Sequence, residues 1–280
     1  MKDRLPSSLS AYLPIKRNLT LAYILSPVVA FLMIAASIGG LLYPSAIYPT
    51  DKSYQSFVTN DMINLLIGLP ILLGSIWLTR RGKLIGLLFW PGALLYVIYN
   101  YTAYVFGMPF SLVTLAFLAL VLLSAYILFD LLKSIDKKSV GEQLSGVVPV
   151  KTSGWVLALF GVAFFFRAIG MLAEASMNQT TLLIPEIGTL IADMILSVLW
   201  VSGGILLLRR KPLGYVSGLG LLFAASMLFI GLIMFLLLQP ALTNAPFALA
   251  DVIAVLAMSL ICFIPFGLFV RGVVSKGKSS

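Results

Sequence analysis

Glu186, Thr189, Asp193, Ser197 and Trp200 recur at spacings of three and four, which places them along one face of a single helix. The surrounding stretch is apolar, and a charge held in the middle of such a stretch costs on the order of 3 kcal/mol unless it finds a partner or water. Arg167 sits in the preceding apolar run, about seven residues or roughly 10 Å of helix inside its outer end, and Asp193 is seven residues beyond Glu186. The matched depths predict an Arg167–Asp193 ion pair. Glu174, seven residues from Arg167, shares its helical face and is a candidate outer partner. Such a pair either tethers two helices or marks a site where a solute binds, and the spacing alone leaves both readings open.

An earlier part of the chain offers a second polar face. Tyr96, Tyr99, Asn100 and Tyr104 lie together near Asp61. Tyr101 and Tyr104 read as members of an aromatic belt at the bilayer boundary, whereas an amide has no belt role, so Asn100 reads as a site residue. With Asp51, Asp61, Glu174, Glu186, Asp193 and Asp251, one rim is acidic, which suits a vestibule drawing cations or amines. A carboxylate without a neighbouring Arg can carry a proton, but no chain of titratable groups continues to the opposite side.

Much familiar chemistry is excluded by what is missing. The chain has no His and one Cys, Cys262, so Ser-His-Asp hydrolysis, His-ligated zinc or haem, intrachain disulfides and thiolate clusters are ruled out. The last four apolar runs contain no Lys for a retinal Schiff base. No phosphate loop, dinucleotide fingerprint or Cys-x-x-Cys occurs. These absences predict neither metal nor cofactor, and no catalytic residue stands out.

The elements that must position these residues follow from composition. Of 280 residues, 60% are apolar and 10% charged, and the mean hydropathy is +1.06. A soluble domain carries about a quarter charged residues. The apolar residues fall into eight runs, about 19–43, 61–79, 84–106, 109–133, 154–175, 186–208, 213–239 and 247–270, each of the length a membrane-spanning helix needs. The fold class is therefore all-α, a polytopic membrane protein with eight transmembrane helices, and the lipid bilayer is its first partner. A net charge of +9 in such a chain reflects topology rather than nucleic-acid binding.

Seventeen of the 19 Lys and Arg residues fall at one set of span ends. Lys2, Arg4, Lys16 and Arg17 precede the first span; Arg80, Arg81 and Lys83 join the second to the third; Lys133, Lys137, Lys138 and Lys151 flank the central loop. Arg209, Arg210 and Lys211 join the sixth to the seventh, and Arg271, Lys276 and Lys278 follow the eighth. Positive residues are retained in the cytoplasm, which predicts an inner-membrane protein with both termini cytoplasmic and leaves Lys52 in an outer loop. The first run follows basic residues and contains Ala35-Ala36-Ser37 in the manner of a secretory signal, but its length fits a span better.

Two sets of four spans are expected to be direct repeats. Asp61-Met62-Ile63 precedes Arg80-Arg81, and Asp193-Met194-Ile195 precedes Arg209-Arg210; each pair of pairs is unique in the chain. Four spans is an even number, so both copies insert the same way, with an axis along the membrane normal and a solute site expected where they meet. The expected organisation is a tail at 1–18, a first repeat at 19–134, a linker at 135–153, a second repeat at 154–271 and a tail at 272–280. Pro27, Pro70, Pro91 and Pro265 fall within spans, where proline is tolerated without special function. Gly82/Gly86 and Gly214/Gly218 are explained by close helix packing.

The run Leu69-Pro70-Ile71-Leu72-Leu73 through Leu78-Thr79-Arg80-Arg81-Gly82, followed by Trp90-Pro91-Gly92, Tyr99-Asn100-Tyr101 and Phe106-Gly107, resembles a group of uncharacterised prokaryotic multi-span membrane proteins of about eight helices. The resemblance spans the second to fourth helices, includes Asp61, implies a prokaryotic plasma membrane and brings no activity. The second half departs from it.

Together these features point to binding or transport of a small, cationic solute in an outward-facing polar pocket between the halves. Asp193, Arg167, Glu174 and Glu186 are its expected lining, with Asp61 and Asn100 as the first half's contribution. The alternatives are a non-catalytic structural or signalling subunit, pairing with a membrane partner or a second copy of itself, and, third, a lipid-modifying enzyme, for which no phosphate or metal motif is present.

Overall fold

The computed structural model describes residues 13–276. Lys2 and Arg4, within residues 1–12, Lys278, within 277–280, and the side chain of Lys276 lie outside the described residues. In chain order the helices are α1 (Thr20–Leu42), α2 (Pro44–Ile47), α3 (Asp51–Ile63), a π-helical turn (Asn64–Gly68), α4 (Leu69–Arg80), α5 (Leu84–Gly107), α6 (Leu112–Ser134), α7 (Lys137–Leu144), α8 (Val150–Met177), α9 (Ile184–Leu208), α10 (Pro212–Thr243) and α11 (Leu249–Lys276). The α3–π–α4 rod is continuous. Counting it as one, eight helices among the described residues are long and apolar enough to cross a membrane. An isolated bridge between Ile15 and Ile135 is the one β contact described.

All eight expected spans are present, and the chain is an integral, multi-pass membrane protein in build. The second differs most from its expected bounds. It begins at Asp51, ten residues early, because Thr50 caps it by accepting the Ser53 N–H at 3.1 Å. Its polar first turns face protein: Tyr54 donates to the Leu242 carbonyl and the Gln239 amide donates to the Gln55 carbonyl, each at 3.1 Å. Apolarity marks a span in sequence, so a polar start satisfied by a neighbouring helix escapes notice. The linker also contains a helix. Asp136 caps α7 by accepting the N–H of Lys138 at 3.1 Å. The π-turn widens the rod just before Pro70, which has no N–H to give and whose ring would crowd the carbonyl four residues back.

One end of the bundle gathers the basic residues. Ile15 bridges Ile135, and Lys16 pairs with Asp136 at 3.3 Å. Gly141 of α7 lies against Pro212 and Tyr215 at the start of α10, and Gly272 of α11 lies against Val147. The segment before α1, the ends of α6 and α11 and the starts of α7 and α10 therefore meet there, closed over by α7.

α5 is the most enclosed of the spanning helices, packing against α4, α6, α9 and α10. Its crossing with α10 is set by Gly92 and Gly220. A Cβ on Gly92 would fall on the Gly220 carbonyl, and one on Gly220 would lie 3.2 Å from the Leu88 carbonyl, so the two backbones touch, and at position 92 only glycine fits. In the first four spans α1 packs on α3–α4 and α6, α4 on α5, and α5 on α6; in the last four α8 packs on α9 and α11, α9 on α10, and α10 on α11. Across the middle α5 meets α9 and α10 while α10 meets α3. The turns at Arg81-Gly82-Lys83 and Arg209-Arg210-Lys211 share one geometry. Gly82 and Arg210 both adopt positive φ, 70° and 52°, and the next residue's N–H in each case reaches back five positions, Lys83 to Leu78 and Lys211 to Leu206 at 3.0 Å.

Candidate functional site

Between the first four and last four spans lies a cavity of about 380 Å³, within the size range of small-molecule sites. It exists because α8 runs along α9 and barely touches α10, leaving a cleft whose floor is α5 and whose near wall is α3. It reaches from Glu186 in the first turn of α9 to Trp200, about 20 Å of helix, in the half of the bundle away from the basic end.

The polar stripe of α9 lies along this cavity, with Glu186, Thr189, Asp193 and Trp200 in its lining. Ser197 instead turns its hydroxyl back to the Asp193 carbonyl at 2.6 Å. Asp193 is buried and forms the predicted ion pair: Arg167 donates from Nη2 to Oδ2. Its other oxygen accepts the hydroxyl of Tyr99, from α5, at 2.9 Å. Arg167 is held in addition by Met171, through Nη1 to Sδ at 3.3 Å, and its side chain keeps 48% of its surface. A guanidinium carries five N–H groups, and these two contacts leave others free for water or a ligand. Glu186 accepts the Leu183 N–H at 2.8 Å through one oxygen, anchoring the first turn of α9 at the end of the cavity away from the basic residues.

Asn100 also lines the cavity and is fixed from both sides. It donates to the Tyr96 carbonyl at 2.9 Å and accepts from Asn60 at 3.1 Å. Asn60 belongs to α3, so this contact joins the cavity wall to its floor. Phe57, Tyr96, Tyr99, Phe164, Trp200 and Phe229 supply aromatic surface, and Phe164 meets Trp200 edge-on at 5.4 Å. The apolar members contributed by α10 are not marked in the sequence, because a Phe or Leu within an apolar span carries no signal of which way it faces. Ser56 and Asn60, polar residues one turn apart on α3, also line the cavity, and their polarity is the signal in the sequence that marks them.

Two expected lining residues lie elsewhere. Glu174 is exposed, one turn past Met171 on α8, and is not part of the cavity. Asp61 is buried on the face of α3 that looks away from it, 1% exposed. There it accepts the hydroxyls of Tyr48, from the segment between α2 and α3, and Tyr104, the latter at 2.9 Å. Burial, and next the Asp61 carboxyl, hold the Tyr48 hydroxyl far above the usual phenol range. Tyr101 and Tyr104 are not belt residues: both are wholly enclosed, because the polar cluster around Asp61 draws Tyr104 inward and Phe117 covers both rings.

Among the described residues, no group of three or more His, Cys, Asp and Glu is placed to hold a metal. The cavity offers a non-covalent site: apolar and aromatic walls, one fixed ion pair with spare donors, amide groups and a carboxylate at one end. No protein-family model, curated protein or solved structure matches this chain, so the reading of its site rests on its own chemistry.

Proposed function

We propose that the protein binds a small amphipathic solute in the cavity between its two sets of four helices, as a receptor or a secondary transporter. The observation that carries this reading is the Asp193–Arg167 pair, its carboxylate buried and its arginine side chain half-exposed, in the wall of a cavity of about 380 Å³; a purely structural tether has no use for an adjoining space. Two carboxylates, Glu186 and Asp193, against one guanidinium leave the lining with one net negative charge. With several ring faces it suits a neutral or cationic organic molecule, an aromatic or alkyl amine above all.

The lysines and arginines of the basic end favour the cytoplasmic side for it; the cavity then faces outward and both termini inward, in the prokaryotic plasma membrane that the resemblance implies. The matching neighbour pattern of the two sets of helices and their shared turn geometry support an ancestral duplication.

Native mass spectrometry of gently purified protein tests the site. Wild type is expected to carry a reproducible small mass that Asp193→Asn and Thr189→Phe both lose. The second variant fills the cavity and leaves the ion pair intact. Retention of the same mass by a folded Thr189→Phe protein would contradict the reading.

A further inference from the structure

The cluster around Asp61 is separate from the cavity and has a hydrogen-bond inventory that does not close. Asp61 lies among Ser37 and Gly40 of α1, Tyr48, and Tyr101 and Tyr104 of α5. Among the described residues no Lys or Arg pairs with it. The charged groups facing α3 from other elements, Glu186, Asp193 and Arg167, lie at the cavity on its other side, and Lys52 is exposed in its first turn. An ionised carboxylate buried without a counter-charge is among the most costly arrangements a protein can hold, and phenol hydrogen bonds offset it in part.

The geometry adds a count of hydrogens. Tyr48 gives its single hydrogen to Oδ2 of Asp61. The Tyr104 hydroxyl, with one hydrogen, lies within hydrogen-bond distance of two acceptors, Asp61 Oδ1 at 2.9 Å and the Phe57 carbonyl at 3.1 Å. One of these contacts lacks a hydrogen if Asp61 is ionised. A proton on Oδ1 completes both: Asp61 donates to Tyr104, and Tyr104 donates to Phe57. The hydroxyls of Ser37 and Tyr101 are buried beside the carboxyl and make no close hydrogen bond elsewhere among the described residues, which gives the cluster further polar capacity.

We propose that Asp61 is a proton-binding site, held as the neutral acid at neutral pH. It backs onto the cavity, since the residue whose carbonyl ends the chain, Phe57, and the neighbouring Asn60 both line that space. The proton is therefore stored one helix width from the cavity, where its arrival or departure changes the hydrogen bond that fixes Phe57.

Infrared spectroscopy of the protein in lipid nanodiscs at neutral pH tests this. Wild type should show the carbonyl stretch of a protonated carboxylic acid, lost in Asp61→Asn and shifted in Tyr104→Phe, which keeps the acid and removes one partner. Absence of the band, or its persistence unchanged in Asp61→Asn, would overturn the proposal. Should Asp61→Asn fail to fold, an unshifted band in Tyr104→Phe overturns it equally.

Discussion

Asp193 and Asp61 stand on opposite sides of α3, both buried in the same half of the bundle, and their surroundings differ in kind. Asp193 has a cation, a phenol and an adjoining cavity; Asp61 has phenols and no described cation. A carboxyl can be kept inside a membrane by a counter-charge beside accessible space or by neutralisation in a sealed, aromatic enclosure. The first arrangement leaves donors available to a ligand, and the second leaves a proton. The two aspartates, alike in their Asp-Met-Ile context, are not equivalent in position. Counted from the shared turns, Asp61 falls at the level of Thr189, one helical turn from Asp193.

The sealed site has no room, and this gives the largest expected effect. A Cβ at Gly40 would run into Asp61 Oδ2 and the Tyr48 hydroxyl, so Gly40→Val should lower stability by about 1–3 kcal/mol or more, read as a lower denaturation midpoint in nanodiscs. Thr189→Val, at the open cavity, should leave the midpoint within about 0.5 kcal/mol of wild type.

Neutralisation separates the two carboxyls next. Asp193→Asn leaves Arg167 without its partner and should cost about 1–2 kcal/mol, reduced by the exposure of that guanidinium. Asp61→Asn replaces one neutral group by another and should cost less than about 1 kcal/mol. Equal losses in thermal denaturation would erase the proposed difference between the sites.

A double-mutant cycle sharpens the same contrast. Arg167→Gln with Asp193→Asn should be less damaging than the sum of the single changes, with a coupling of about 0.5–2 kcal/mol. Arg167→Gln with Asp61→Asn should be additive.

How much of this was legible in the sequence depends on what carries a signal. The spans were readable because lipid-facing helices must be apolar, and the Asp193–Arg167 pair because charges within apolar runs are few enough to match by depth. The stripe from Glu186 to Trp200 was readable because its members share one helix. The start of α3 at Asp51 was not, since its polar turns are satisfied by Leu242 and Gln239 of a distant helix. The separation of Asp61 from Asn60 was not either: neighbouring residues on a helix point about 100° apart, and which of them faces the cavity is decided by packing against α1 and α5.

The smallest expected effect lies at the basic end. Desolvation of Asp136 is outweighed by the N–H groups of Ser139 and Lys138 and by Lys16, so its carboxyl titrates below the usual range. A lowered value in the folded state contributes stability that is complete above the unfolded pKa, about 3.9, and is lost as pH falls through the folded value. Below about pH 4 the Lys16–Asp136 clasp should loosen, seen as lost protection, relative to intrinsic exchange at the same pH, of the Lys16 and Asp136 amides, whose N–H groups bond the Ser134 and Pro14 carbonyls. Asp136→Asn should show that loss already at neutral pH.

An accessible cavity on the side away from the basic end thus stands beside a sealed cluster of one carboxyl and several hydroxyls. Single cysteines at Thr189 and at Ser37, in a Cys262→Ala background, test it directly with a membrane-impermeant thiol reagent applied to vesicles of each orientation. Labelling of Thr189→Cys from the face opposite the basic loops, with Ser37→Cys unlabelled from either face, is the predicted result. Protection of Thr189→Cys in both orientations, or labelling of Ser37→Cys, would contradict the account.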